Sequence, residues 1–235
     1  MDLTKSYDFF NPNSVKQMIH IIGCGSIGST LAENLVRCGL QKITLWDFDK
    51  VEQHNIVNQM FTIKHVGMNK VDALLDILTD INPDAAKTVK LKPAGWQGEL
   101  LSGYIFLCVD NIDLRRTIVE KHIPSKFVKG VFDFRTLLTG AQHYAADWAS
   151  ENAKKYLLST MQFTHEEAAA ATPVSACGVT LGVCQTCRII CGFGTSNFIS
   201  MVKGEGYKKT IQYNFQSTGG SSPALIFDEF DGANN

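Results

Sequence analysis

The chain has 235 residues, 45% of them hydrophobic and 19% charged, with a formal net charge of −1. This composition suits an ordinary globular core, and 22 basic against 23 acidic residues leave no charge run for nucleic acid or an anionic membrane. No apolar run reaches the roughly 20 residues of a membrane-spanning helix, and the polar start MDLTKSYDFFNPNSVKQ is unlike a secretory leader, so the cytoplasm is the expected location.

Strand-like runs occur at 18–22 (MIHII), 42–46 (KITLW), 88–92 (TVKLK), 104–109 (YIFLCV) and 127–133 (FVKGVFD). Helical patterns lie between them at 26–38, closed by Gly39, at 67–82 and at 113–122. Val71, Leu74, Leu75, Leu78 and Ile81 recur at helical spacing, so the second helix should lay one face on the sheet. Strands alternating with helices predict an α/β, Rossmann-like fold with a mostly parallel sheet. Beyond residue 135 the pattern changes. TGAQHYAADWA reads as a returning strand, ENAKKYLLST as a short helix, HEEAAAATPV as a loop that starts helical, and about 173–201 as a long buried helix. TIQYNF and ALIFDEF then read as two strands, giving the C-terminal part an antiparallel character. With no repeat and no linker, one domain is expected over 1–235, with a nucleotide-binding half at 18–135 and a C-terminal helix and hairpin at 136–235.

IIGCGSIGSTLAENLV follows the first strand and opens the first helix. In Gly23-x-Gly25-x-x-Gly28, the first glycine permits a tight turn, the second lets backbone approach phosphate, and the third lets helix pack on strand. A helix beginning near Ser26 offers unpaired N–H groups to an anion. Asp47, ending the second strand, can accept ribose hydroxyl protons. These residues alone fit NAD as well as ATP.

The following segments narrow the choice. DFDKVEQHNIVNQMF, VGMNKVDAL and FLCVDNIDLRR come in an order that resembles the ThiF/MoeB superfamily, the ubiquitin-activating-like adenylyltransferases. The matching positions are Asp47, Asp49, Asn55, Ile56, Gln59, Gly67, Lys70, Asp110, Asn111 and Arg115. The resemblance implies ATP and Mg²⁺ as cofactors and activation of a carboxylate as an acyl-adenylate. Lys70 would neutralise the phosphates, Asp110 would hold Mg²⁺ and Asp47 the ribose; Asn55 and Gln59 would donate to phosphate or to the incoming carboxylate. Asp49, Asn111 and Arg115 fall in the same nucleotide motifs. The acid would be the C-terminus of a small ubiquitin-like or sulfur-carrier protein, a peptide or a small molecule, and the working unit a homodimer.

This sequence departs from the family at Asn58, which stands where a phosphate-facing arginine is usual and removes a full positive charge. Arg135, in FDFR, is the candidate substitute cation. DFR and FTHEEAAAATPVSACGV resemble compact ThiF-like proteins of phages and bacteria. The alternative is a non-catalytic ATP-binding or scaffold protein. Larger relatives hold structural zinc through two Cys-x-x-Cys pairs, whereas this chain has only Cys184-x-x-Cys187, flanked by Cys177 and Cys191. One helix face cannot easily supply a tetrahedron, so these cysteines read as buried small hydrophobes. Cys177 is the one thiol considered as a nucleophile, while His54 and His165 read as surface or supporting residues.

Overall fold

The structure, a computed structural model, describes residues 1–171, 174, 181–215 and 224–228. Eight strands form one sheet: β1 (Ile19–Ile22), β2 (Ile43–Trp46), β3 (Lys90–Lys92), β4 (Gly103–Leu107), β5 (Val128–Thr136), β6 (Gly140–Asp147), β7 (Thr210–Asn214) and β8 (Ala224–Asp228). Their order is β3-β2-β1-β4-β5-β6-β7-β8. The first five are parallel, and β6, β7 and β8 are added antiparallel. The α/β expectation with an antiparallel C-terminal part holds.

The helices are α1 (Ser26–Arg37), α2 (Lys70–Ile81), α3 (Ala85–Thr88), α4 (Ile112–His122), α5 (Glu151–Ser159), α6 (His165–Ala171) and α7 (Cys184–Lys203). Alternation along the strands divides the core in two. Ile19, Ile21, Leu45, Phe106, Phe132 and Phe134 pack with α1, α2 and α7 on one face. Ile22, Trp46, Ile105, Leu107 and Val131 pack with α4 and α5 on the other. Because both faces are covered, the central strands read as continuous apolar runs rather than as an alternating pattern. Phe106, Phe132 and Phe198 interlock with centroids 4.9 to 5.5 Å apart, all fully buried. A fully buried aromatic of this kind is worth about 1.5–3 kcal/mol.

Two helices differ from expectation at their starts. α2 begins at Lys70, not 67, because Gly67 takes φ +89° and follows a tight 3-10 turn at Ile63–His65. α7 begins at Cys184 and ends on Gly204 in the left-handed conformation; the earlier part of the expected 173–201 helix, including Cys177, lies outside the described residues except for Val174 and 181–183. Among the described residues no helix is long and apolar enough to cross a membrane.

Candidate functional site

β1 and β4 are neighbours, and from them the chain winds outward in opposite directions, so a crevice opens at their carboxyl ends. The glycine turn fills its floor. Gly23 has φ +94°, and a Cβ there would lie 2.8 Å from the Val109 nitrogen, so the turns after β1 and β4 touch. A Cβ on Gly28 would lie 1.8 Å from the Gly23 carbonyl oxygen, which brings α1 directly onto the turn. Gly25 is different: it is the N-cap of α1, makes no side-chain cap, and a Cβ on it would meet no atom within 4 Å among the described residues. The amino end of α1 therefore presents uncapped N–H groups and a partial positive charge.

Asp47 binds this turn from the end of β2. Its Oδ2 accepts from the Cys24 N–H at 2.6 Å and its Oδ1 from the Asp49 N–H at 2.8 Å. Burial pushes the Asp47 carboxyl up despite these two bonds and the nearby Lys70. Next to it, the backbone of 49–51 pairs with 67–70: Val51 N–H donates to Met68 O, Gly67 N–H to Val51 O, and Lys70 N–H to Asp49 O. That pairing sets Lys70 at the first position of α2, where its Nζ meets Asp49 Oδ2 at 2.8 Å. Lys70 is 8% exposed. Asp47, Asp49, Lys70 and the glycine turn thus share one edge.

The Asn55 segment is a 3-10 turn, Gln53–Val57. Asn55 Oδ1 accepts from the Glu52 N–H at 2.9 Å, which leaves its NH2 end as the donor group. Gln59 Oε1 is buried with no partner among the described residues. Asn58 lies against the strand-like approach to α7, for a Cβ on Gly182 would stand 2.6 Å from its Nδ2. Asp110 follows β4, exposed, and its carboxylate makes no hydrogen bond or ion pair among the described residues. It does not cap α4; Asn111 does, accepting from the Leu114 N–H at 2.9 Å. The side-chain oxygen of Asn111 is therefore already committed.

The two arginines do something other than expected. Arg115 is 5% exposed and donates to Val109 O, Asp133 and Phe134 O, so its guanidinium is tied beneath the crevice to the ends of β4 and β5. Arg135 does not stand free as a substitute for the missing arginine: its Nε donates to Asp133 Oδ2, and its two terminal nitrogens to Thr160 O and Oγ1. Tyr144 and Phe163 stack against its guanidinium, 4.6 and 5.6 Å from the ring centroids. Both arginines converge on Asp133, which is fully buried. Burial opposes ionisation there, but the two guanidinium groups outweigh it and hold the carboxyl below its ordinary range. Asp133 was visible in the sequence only as part of DFR; a lone acid in an apolar β5 was the available signal.

Burial pushes the thiols of Cys24, Cys108, Cys187 and Cys191 up, which keeps them protonated and unreactive. No group of three or more His, Cys, Asp or Glu suited to a metal occurs among the described residues. One exposed carboxylate beside a glycine turn still suits Mg²⁺, which takes one or two carboxylates and completes its shell with phosphate oxygens and water. The open face of Gly25, the uncapped α1 and the orphaned Gln59 amide suit a polyphosphate. Turned about its last bond, that amide offers N–H groups to it. His54 is exposed beside Glu52, but His165 is partly buried: its backbone N–H donates to Asp113 Oδ2 and its ring Nδ1 has no partner among the described residues.

Ubiquitin-like modifier-activating enzyme 5 of Culex quinquefasciatus is 32% identical over 134 residues, 50% of this chain and 33% of that protein. The Bombyx mori protein of the same name is 36% identical over 118 residues, 44% of this chain and 30% of its own length. The matches thus span about a third of these relatives. Among solved structures, PaaA superposes with a TM-score of 0.65 and 16% identity, covering 97% of this chain and 69% of that one. E. coli MccB with ATP gives 0.66 and 14%, covering 95% and 67%. At these identities the superpositions speak for the fold. The family model described as the ThiF family matches residues 14–213, and with the glycine turn, Asp47, Lys70 and Asp110 in that family's order at the carboxyl edge of the sheet, the chain belongs to the ThiF family.

Proposed function

We propose that the protein is an ATP-dependent adenylyltransferase that activates a carboxylate as an acyl-adenylate. The observation that carries this reading is the amino end of α1: uncapped, open in front of Gly25, and flanked by Lys70 and Asp47. In the reaction, a carboxylate oxygen attacks the α-phosphorus, the bond to the bridging oxygen breaks, and pyrophosphate leaves with the electron pair. The attacking group is already an anion, so no base is required. Two negative groups must meet, and fixed positive charge is what the site has to supply. Lys70 and the N–H groups of α1 would take up charge on the phosphates. Asn55 and Gln59 would orient phosphate or acid, and Asp47 would orient the ribose. Asp110 would hold Mg²⁺, which shields the charge that develops on pyrophosphate.

The names of the sequence relatives, and the crystallisation of the neighbour MccB with ATP and with MccA-N7isoASN, support the C-terminus of a small protein or peptide as the acid. A homodimer forms part of the proposal. The test is acid-dependent pyrophosphate–ATP exchange, with C-terminal peptides of small ubiquitin-like proteins as probes. Lys70→Ala and Asp110→Ala should each lower exchange at least a hundredfold; wild-type rates in either variant would remove that residue from the chemistry. A second reading, ATP binding without turnover, is favoured by one feature: position 58 lacks the arginine, and Arg135 is bound to Asp133 and Thr160. Under that reading the wild type shows no exchange and Asn58→Arg gains it.

A further inference from the structure

We propose that Arg115 is a positioning residue that presets Asp110, an inference resting on the adenylyltransferase reading above. Val109 O is the last carbonyl before Asp110. It accepts from Arg115 Nε at 2.7 Å and also from Nη2. The same guanidinium reaches β5, where Nη1 donates to Asp133 Oδ1 at 2.5 Å and to Phe134 O at 2.6 Å. One side chain of α4 therefore ties the end of β4 to β5. On the other side of Asp110, Asn111 is fixed as the α4 cap. Asp110 is held between two anchored neighbours while its own carboxylate has no partner among the described residues. The arrangement orders the backbone and leaves the acid free for a ligand.

Only arginine suits this role. Its planar fork donates in several directions at once, whereas a lysine ammonium on the same stem is a single point that cannot span Val109 O and Asp133 together. Asp133 completes the device, because its second oxygen is held by Arg135 at 2.7 Å and so cannot swing away from Arg115. A displacement of about 1 Å in a reacting group can lower a rate a hundredfold, so a fixed Val109–Asp110 link has catalytic value without contact with substrate.

The test compares calorimetric titrations of the full chain with Mg·ATP and with ATP in EDTA. Arg115→Lys should weaken Mg·ATP about tenfold, leave Mg-free ATP within twofold, and add less than twofold in the Asp110→Ala background. Asp133→Asn, which keeps Arg115 but loosens its anchor, should show the same selective loss at smaller size and serves if the lysine variant does not fold. Trp148→Phe, which removes a buried hydrogen bond to His122 O far from the crevice, is the stability control and should lower only the melting temperature. Equal weakening of both ATP forms, or a full additional loss on top of Asp110→Ala, would mean that Arg115 touches the nucleotide itself and would overturn the proposal. A fall in melting temperature with both affinities unchanged would overturn it as well. A wild type that binds ATP in neither form overturns the adenylyltransferase reading, and this inference with it.

Discussion

His20 and His143 are kept uncharged by burial, which brings each pKa down from 6.5 to about 4. Their bonds agree: His20 Nδ1 accepts from the Trp46 indole at 3.2 Å, and His143 Nε2 from the Asn197 amide at 3.0 Å. Between pH 4 and 6.5 the unfolded chain binds more protons than the folded one, so stability rises with pH across that window. Denaturant unfolding should lose ~1.4 kcal/mol per pH unit for each histidine on going from pH 6.5 toward 4. His20→Gln should remove one share of that slope; an unchanged slope would show that His20 charges freely in the fold. Asp133 acts lower on the scale. Its depressed folded pKa gives stability that is present above 3.8 and is lost as the pH falls through the folded value. Lys70 and Asp47 could be picked out from motif order alone, since each stands at a strand end or helix start. The duties of Arg115 and Arg135 could not, because sequence shows a guanidinium but not which oxygens surround it.

Among the elements, the β1–α1 turn separates two functions of glycine that look alike in GCGSIG. Gly28 is required by packing, because a methyl group there meets a backbone oxygen that cannot move aside. Gly28→Ala should destabilise the fold by about 1–3 kcal/mol, the usual range for overpacking, or prevent folding. Gly25 is different: a Cβ there would meet no atom within 4 Å among the described residues. Gly25→Ala should therefore keep the melting temperature within about 2 °C, less than the shift from 1 kcal/mol in a chain of this size, yet weaken ATP at least tenfold. Unchanged ATP affinity in Gly25→Ala would place the phosphates elsewhere. The start of α7 was less readable than the turn. α7 starts behind Val183, which has no side-chain cap, and Gly194 seats the Phe134 ring, where a Cβ would lie 2.1 Å from Cε1. Such a contact between helix and strand leaves no local trace.

For the molecule as a whole, ligand choice can be read as stability. A ligand that binds only the folded state at a hundred times its Kd adds about 2.7 kcal/mol, which in a chain of this length raises the melting temperature by roughly 5–10 °C. Mg·ATP should give that shift and NAD at the same concentration none. The reverse order would restore the dehydrogenase reading that the glycine turn and Asp47 leave open by themselves.

Chain order and periodicity were enough for the parallel β1–β5 layer, for α1, α2 and α4 between those strands, and for family membership, since these depend on local patterns: apolar spacing, glycines at a turn, polar residues at strand ends. Tertiary structure alone decided the fate of the charged groups. Asp110 and Asp133 are both acids at or near the end of a strand, yet one is left open and the other is enclosed by two arginines. The difference arises from side chains contributed by α4 and β5, 18 and 2 residues from Asp133 along the chain. Electrostatic environment is a property of what surrounds a charge in space, and folding assembles those surroundings from separated segments.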